Sequence, residues 1–366
     1  MKLICDRGAL GESLGLISAV VVARTPKPAL RCVKMTASDS KLTLSATDLE
    51  VAVRITTPRV EVQEPGESLV VADKLNQIVR ESIDPTLAIE VNNDSLTIAT
   101  QDSHFKVFTS PTDDFPPMPD FEGDPDFEIS TADLQRLISK TIFATARESS
   151  RYAINGVLIE RDGKKLVVVA TDGRRLALAK GDCRAAKGDN RSAIVPTKAL
   201  TLLLRVFDDA DQTVRVRIAD NQILFATDEA MVTSNLVEGN FPPYRDVVPK
   251  DGDRRATLST DTFASAVRRA ALLTNEESKG VNMAFSTEGL KLSSRAPELG
   301  EAQINIDVPE YSGESVEIGF NPQFILDALK IVDTEQVNVE LQAPNKPGII
   351  RTGSDFLYVV MPVSLD

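Results

Sequence analysis

Polar and apolar residues alternate along many short stretches of this chain, and turn-forming pairs separate the stretches. Residues 214–218 alternate strictly, Asp220-Asn221 supplies a turn, and the alternation then resumes. The pair Asp162-Gly163 separates two further apolar-rich stretches in the same way. Alternation interrupted by such pairs is typical of antiparallel β-hairpins. The pattern therefore predicts a chain rich in antiparallel sheet.

Apolar residues follow helical spacing in a smaller set of segments. Leu134, Leu137 and Ile138 recur every three or four positions, so they define one buried face of a helix. Asn321-Pro322 places a good N-cap residue before a proline at the first helical position. We predict helices at 8–24, 73–81, 131–147, 197–207, 260–272 and 321–330.

The chain contains an internal repeat. The tripeptide Ala-Thr-Asp at 46–48 returns at 170–172, and Phe-Pro-Pro at 115–117 returns at 241–243. Residues that open the predicted helices recur at similar steps: 124 and 129 residues for Leu10, Leu134 and Phe263, and 125 and 124 residues for Leu75, Leu200 and Phe324. A repeat of about 122 residues is far longer than a solenoid repeat, so it marks repeated domains.

We therefore predict three tandem domains, at 1–122, 123–251 and 252–366. Each domain combines two helices with several short strands. Helices that cover one face of an antiparallel sheet define the α+β class.

The residue types argue against most enzyme chemistry. Three cysteines lie far apart, and His104 is the single histidine, so neither a disulfide framework nor a zinc site is expected. No phosphate-binding glycine motif is present. We expect no catalytic residue, no metal and no cofactor. The chain shows neither a signal-peptide pattern nor a membrane-spanning run, which predicts a cytoplasmic protein.

Charge is unevenly distributed. The net charge is −13, but the predicted helices carry about +5 and the remainder of the chain about −18. On any single helix, a basic face opposite a core face is usually only a solvated surface. Recurrence of basic helix faces in an acidic protein favours contact with a polyanion such as DNA, held through its phosphates.

Several motifs together make the chain resemble the bacterial DNA polymerase III beta subunits, the sliding clamps. These are Ala-Thr-Asp-Leu-Glu at 46–50, Arg-Tyr-Ala-Ile-Asn-Gly at 151–156, Ala-Thr-Asp-Gly-Arg-Arg-Leu at 170–176, Phe-Pro-Pro-Tyr-Arg at 241–245 and Tyr-Val-Val-Met-Pro at 358–362. The resemblance runs through the whole sequence. It implies three clamp domains per chain and a head-to-tail homodimer that forms a ring around duplex DNA. It implies a processivity factor and not an enzyme.

The resemblance and the charge pattern together assign residues to three surfaces. For DNA we expect Arg24, Lys74, Arg136, Lys140, Arg147, Tyr152, Lys198 and Arg205. For a groove that binds short peptide motifs we expect Ile154, Thr171, Gly173, Arg174, Arg175, Leu176, Pro242, Val247, Phe324, Val359, Val360, Met361 and Pro362. For the dimer contact we expect Phe105, Val107, Leu272 and Leu273. The implied partners are double-stranded DNA, a second copy of the chain, the replicative polymerase catalytic subunit, the clamp loader, other polymerases and repair proteins.

Other interpretations remain open at this point. The four dimer residues could equally belong to the core of their own domains. Residues 171–173 could be a simple turn, although only this copy of the repeat continues as Gly-Arg-Arg. Ala153 stands where well-known relatives carry a second aromatic residue, and residues 363–366 depart from the usual ending. Two further hypotheses are a carboxylate enzyme with a divalent metal at Asp172 and a monomeric peptide-binding adaptor.

Overall fold

The computed structural model of the protein describes residues 1–146, 152–185, 188–249, 252–274 and 280–364. The chain divides into two compact units. The first consists of Met1–Ala132, Cys183–Asp189 and Lys198–Leu236, and the second of Asp133–Asp182, Asn190–Thr197 and Val237–Asp366.

Six α-helices lie within these described ranges. They are α1 (Arg7–Ile17), α2 (Ala72–Glu81), α3 (Thr131–Ser139), α4 (Thr197–Val206), α5 (Thr260–Ala270) and α6 (Pro322–Ile331). Each helix begins within one residue of its predicted start, and a side-chain cap marks the start of α1, α5 and α6. Asp6, for example, caps α1 by accepting a hydrogen bond from the backbone N–H of Ala9 at 2.7 Å.

Two helices end well before the predicted residue, while α4 and α5 end only one and two residues early. The prediction of α1 to residue 24 was wrong, because Ser18 turns its hydroxyl back onto the Leu14 carbonyl at 2.7 Å and residues 20–22 are β-branched valines. The prediction of α3 to residue 147 was also wrong. Thr141 donates its hydroxyl hydrogen bond to the Leu137 carbonyl at 2.9 Å, and a short 3₁₀ turn follows. Arg147 lies outside the described residues.

Short strands lie between and after the helices in the described part of the chain. They are β1 (Lys2–Asp6), β2 (Cys32–Ser38), β3 (Lys41–Thr47), β4 (Val51–Thr57), β5 (Val60–Glu64), β6 (Gly66–Val71), β7 (Thr86–Asn92), β8 (Ser95–Ala99), β9 (His104–Ser110), β10 (Phe127–Ser130), β11 (Gly156–Asp162), β12 (Lys165–Thr171), β13 (Arg175–Asp182), β14 (Arg184–Ala185), β15 (Arg191–Pro196), β16 (Thr213–Ile218), β17 (Gln222–Ala226), β18 (Ala230–Asn235), β19 (Arg254–Ser259), β20 (Val281–Ser286), β21 (Gly289–Ala296), β22 (Gly300–Ile306), β23 (Glu310–Ser312), β24 (Val316–Phe320), β25 (Gln336–Leu341), β26 (Gly348–Thr352) and β27 (Phe356–Val360).

In the first unit, one antiparallel sheet joins strands from two parts of the chain. Its order is β14-β10-β16-β17-β18-β4-β3-β2-β6-β9-β8-β7-β1-β5. The join lies between β18 and β4, where Ser234 pairs with Val51 and Ala230 pairs with Ile55. Helix α1 covers part of this sheet and buries Leu10, the first residue of the repeated helix step.

The second unit repeats the same join. Its larger sheet has the order β15-β11-β12-β13-β27-β26-β25-β19-β23, and a smaller sheet has the order β22-β21-β20-β24. Here β13 pairs with β27, with Arg175 opposite Val360 and Ala179 opposite Phe356. The two joins are equivalent in the repeat, since Val51 and Arg175 stand 124 residues apart. No helix in the described part of the chain is long and apolar enough to cross a membrane.

Candidate functional site

A cavity of about 200 Å³ opens in the second unit beside the pairing of β13 with β27. It is smaller than the roughly 300–1,000 Å³ pockets that enclose drug-sized ligands, so it suits a few inserted side chains. Most of the residues expected for the peptide groove line it: Ile154, Thr171, Gly173, Arg174, Arg175, Leu176, Pro242, Val247, Val359 and Met361. Tyr152, expected at DNA, and Tyr244, which was missed, line it as well.

The mouth of this groove exposes apolar side chains to water. Tyr152 is 44% exposed, Val247 49% and Met361 38%. Deeper in the cavity, Leu176 and Val359 are buried. Exposed apolar side chains that converge on one concave site mark a binding surface more often than scattered exposed apolar side chains do. The cavity therefore has an apolar floor and an apolar rim that a partner side chain can cover.

The floor follows from the alternation of β27 and its continuation. Side chains of successive residues in a strand point to opposite faces, so Val359 and Met361 can line the groove while Val360 faces away from it. Val360 is buried and does not line the cavity, and neither does Pro362. The backbone N–H of Met361 donates to the Arg174 carbonyl at 2.8 Å, which fixes the rim.

A tight turn after β12 presents Gly173 and Arg174 at the groove. Thr171 accepts a hydrogen bond from the Gly173 N–H at 3.1 Å and donates its own to the Arg175 carbonyl at 2.6 Å. Asp172 accepts hydrogen bonds from the backbone N–H groups of Arg174 and Arg175 at 2.9 and 3.0 Å. Gly173 adopts a φ of +86°, which glycine tolerates without strain. Asp172 thus serves the turn, which engages one of its two carboxylate oxygens.

The first unit contains the same turn with different side chains. Thr47 accepts from the Leu49 N–H at 3.0 Å, and Asp48 accepts from the backbone N–H groups of Glu50 and Val51 at 2.9 and 2.8 Å. Leu49 takes the place of Gly173 and adopts the same left-handed backbone, with φ +79°. The turn is therefore a property of the repeat. Within this turn, the residues Gly173, Arg174 and Arg175 distinguish the groove copy.

Arg175 holds the turn to α6. Its Nε donates to Asp172 at 3.1 Å, one Nη donates to Asp327 at 2.5 Å, and the other donates to the Phe143 carbonyl at 3.0 Å. The guanidinium also stacks 4.5 Å from the ring centre of Phe324. Phe324, expected in the groove, does not line the cavity and instead supports Arg175 from behind. Two carboxylates thus neutralise this partly buried charge.

A second hydrogen-bonded cluster fixes the other wall. The Tyr244 hydroxyl donates to Glu160 at 2.5 Å, and Arg245 donates to the same carboxylate at 2.8 Å. Burial, and then Glu160, raise the pKa of the Tyr244 phenol above its usual range. Tyr244 is part of the Phe-Pro-Pro-Tyr-Arg motif at 241–245, so the motif held the signal for a groove residue that spacing alone did not identify.

The residues expected at DNA fall into different environments. Arg24, Lys74 and Arg205 are exposed, and no carboxylate of the described residues lies within ion-pair distance of any of them. Lys198 is exposed and forms an ion pair with Asp48. Tyr152 lies at the mouth of the groove. Among the described residues, Arg24 and Arg205 thus have no side-chain partner, Lys74 donates a hydrogen bond to Gln77 at 3.3 Å, and Lys198 is paired with Asp48.

Two members of that set are committed elsewhere. Lys140 was predicted on an open face opposite Leu134, but it is buried, lies 3.7 Å from both Asp333 and Asp355, and its ammonium sits 5.9 Å from the centre of the Phe356 ring. Arg136 donates to Asp355 at 2.8 Å and Asp133 at 3.1 Å. Both cations contact Asp355, so the surface that carries them packs against acidic residues of the same unit. The prediction that Lys140 lies on an exposed surface that contacts DNA was therefore wrong.

The four residues expected at a dimer contact are not in a core. Leu272 is exposed, and Phe105, Val107 and Leu273 are only partly buried. Strand β9, which carries Phe105 and Val107, pairs along residues 104–108 with β8 alone, and β6 reaches only its last two residues. Its second edge is thus open over 104–108 within the described residues. Strand β22 likewise ends its sheet, with β21 on one side only.

Three repeats of helix and antiparallel sheet, joined strand to strand and carrying an apolar groove, define the clamp class of fold. Family models for the DNA polymerase III beta subunit match the chain in order: the N-terminal domain at residues 1–119, the central domain at 128–243 and the C-terminal domain at 245–364. The chain belongs to the DNA polymerase III beta subunit family, which consists of sliding clamps and not of enzymes.

Individual relatives agree over the full length. The beta sliding clamps of Pseudomonas aeruginosa and Escherichia coli are 35% and 34% identical to this chain, and each alignment covers 100% of both proteins. A crystal structure of the Pseudomonas aeruginosa clamp bound to griselimycin matches with a TM-score of 0.94 over 100% of both chains. The Bacillus subtilis clamp matches with a TM-score of 0.94 at 28% identity, covering 100% of this chain and 99% of that one.

Proposed function

We propose that this protein encircles duplex DNA as a head-to-tail ring of two copies and docks client proteins through the groove at β13 and β27. The observation that carries the proposal is the match of the whole chain, in order, to the three domains of the sliding clamp family. The three domains are proposed at 1–122, 123–251 and 252–366. The proposed location is the cytoplasm.

Two open strand edges support the closure of a ring. The open edge of β9 carries Phe105 and Val107 beside the exposed Lys106. The open edge of β22 carries the exposed Glu301, and Leu272 with Leu273 supplies apolar surface in the same unit. An open edge offers unpaired backbone groups to a strand of another chain. Pairing β9 of one copy with β22 of the other would satisfy both edges, and doing so twice would close the ring.

Exposed cations on the helices and their ends support contact with DNA. Arg24 and Arg205 have no ion-pair partner among the described residues, the Lys74 ammonium donates a hydrogen bond to the uncharged Gln77 side chain at 3.3 Å, and Lys198 forms an ion pair with Asp48. Phosphate contacts by such residues are independent of base sequence, so they allow a ring to move along the duplex. The net charge of −13 on the whole chain disfavours nonspecific binding elsewhere on the surface.

The groove supports docking of short peptide motifs from several clients. Its size suits a few side chains, and its rim exposes Tyr152, Val247 and Met361. The proposed clients are the replicative polymerase catalytic subunit, the clamp loader, other polymerases and repair proteins. They would share one site and compete for it, because the described groove is a single cavity.

A topology experiment tests the encircling function. The labelled protein is loaded onto nicked circular plasmid with a bacterial clamp loader and ATP, and the mixture is gel-filtered before and after the plasmid is linearised. Co-elution with circles and loss from linear DNA is the expected result, because a ring can slide off a free end. Equal retention on both forms would contradict encirclement and leave ordinary surface binding. No retention, with a solution mass near 39.7 kDa, would favour the monomeric adaptor.

A further inference from the structure

We propose that the pairing of β4 with β18, called here the first join, is the compliant joint of this chain. The pairing of β13 with β27, the second join, has the same geometry but is tied by additional ion pairs. The proposal compares how readily two equivalent places in the fold open locally. It requires neither DNA nor a client peptide.

The two joins share a backbone hydrogen bond that fixes which residues are equivalent. In the first join, the Thr56 N–H donates to the Glu229 carbonyl at 2.7 Å. In the second join, the Lys180 N–H donates to the Asp355 carbonyl at 2.7 Å. Thr56 and Lys180 stand 124 residues apart, which is the step of the repeat. Glu229 and Asp355 therefore occupy the same position in the hairpins that precede β18 and β27.

Two cations of α3 tie the second join. Arg136 donates to Asp355 at 2.8 Å, and the Lys140 ammonium lies 3.7 Å from both Asp355 and Asp333. The Lys140 side chain keeps only 7% of its exposure, so solvent screens its contacts weakly. Helix α3 can separate from the hairpin before β27 only if these ion pairs break.

The equivalent positions in the first join carry different residue types. Glu12 of α1 stands 124 residues before Arg136. Leu16 of α1 likewise stands 124 residues before Lys140. Glu12, Leu16 and Glu229 line one cavity of about 600 Å³. A carboxylate and an apolar side chain thus replace the two cations, and two carboxylates cannot form the ion pair that ties the second join.

The other charged residues around this cavity do not restore the tie. Asp208 and Asp209 follow α4 on one wall, and Arg59 and Arg205 also line the cavity. All four are exposed, and none of them forms an ion pair with another described residue. The lining therefore holds four carboxylates against two guanidinium groups, without a bridging pair among the described residues. Water fills the space that ion pairs occupy in the second join.

A different tie is common to both joins and does not explain the contrast. Asp48 pairs with Lys198 of α4 in the first join, and Arg175 pairs with Asp327 of α6 in the second. The difference between the joins therefore lies on the side of Glu229 and Asp355. In the proposed ring, bending would concentrate at the first join of each copy, and this consequence alone rests on the proposed function.

Native-state hydrogen exchange of the full-length protein tests the proposal. The amides of Thr56 and Lys180 are followed by mass spectrometry with electron-transfer fragmentation, because they make equivalent bonds at the two joins. Each rate is divided into the rate expected for an unstructured peptide of the same sequence, which gives a protection factor. We expect the protection factor of Thr56 to be about fivefold to twentyfold lower than that of Lys180.

Reciprocal variants test whether the ion pairs cause the difference. Glu12→Arg places a cation toward Glu229 and should raise the protection of Thr56 at least about threefold without changing Lys180. Arg136→Gln should lower the protection of Lys180 without changing Thr56. Glu90→Arg is the matched control, because it makes the same change in charge as Glu12→Arg at an exposed position of β7, six strands from β4 in the sheet. It should leave both amides unchanged.

Three outcomes would overturn the proposal. Equal protection of Thr56 and Lys180 in the wild type would show that the first join is not the more compliant one. An effect of Glu90→Arg on Thr56 as large as that of Glu12→Arg, or no effect of Glu12→Arg, would refute the missing ion pair as the cause. A change of equal size at both amides in either variant would indicate altered global stability instead of a local joint.

Discussion

The ion pair between Arg175 and Asp327 should contribute strongly to stability, and its strength can be estimated from its burial. The two side chains retain 11% and 25% of their exposure, and the guanidinium is also bound by Asp172 and stacked on Phe324. A hydrogen bond to a charged partner in such surroundings contributes about 1.5–3 kcal/mol. We therefore expect a coupling energy of about 2 kcal/mol between Arg175 and Asp327.

A double-mutant cycle measures this coupling. Arg175→Met keeps the side-chain stem against Phe324 but removes the charge, and Asp327→Ala removes its partner. The free energy of unfolding is obtained from urea denaturation of the wild type, both single variants and the double variant. If more than one unfolding transition occurs, the transition whose midpoint the single variants shift is compared among the four proteins. The double variant should be less destabilised than the sum of the two single variants, because the second substitution removes a partner that has already been lost.

The ion pair of Asp48 with Lys198 is the matched control. It joins the equivalent turn to α4, but the Lys198 side chain keeps 50% of its exposure. Solvent screens such a pair, so its coupling should be only about 0.2–1 kcal/mol. A coupling for Arg175 and Asp327 no larger than this control would refute the argument that burial and multiple partners make the groove pair strong.

Two further predictions concern assembly and thiol chemistry. Leu273→Asp should give a monomer, because it places a charge in the proposed dimer contact. Light scattering should report a mass near 39.7 kDa instead of about twice that value. A persistent dimer would contradict the proposed interface. Burial, followed by the charge of Asp6, raises the pKa of the Cys5 thiol from its usual 9.0 to about 12, so the folded state favours the protonated thiol. The contribution of the raised Cys5 pKa to the free energy of unfolding is complete below about pH 9 and is lost as the pH rises toward 12. A maleimide reagent at pH 8 should label Cys5 in urea but not in the folded protein. Rapid labelling of the folded protein would show that the thiol is not protected.

The sequence alone determined those features that depend on neighbours along the chain. Helix starts at α1 and α6 follow from the capping side chains of Asp6 and Asn321, which act within three residues. Hairpins follow from alternation around turn pairs such as Asp162-Gly163. The motifs already indicated the family, and they contain most of the residues that line the groove.

Only the tertiary structure decided how each charged or aromatic residue is used. Lys140 and Arg175 both belong to basic patterns in the sequence, yet one is buried beside Asp333 and Asp355 and the other is neutralised by Asp327. These partners lie more than 150 residues away along the chain, so no local pattern could reveal them. Tyr152, which was expected at DNA, lines the groove because Pro242, Val247 and Met361 lie beside it in space. Local chemistry sets the elements, but the partners of a charge depend on which distant strands pair.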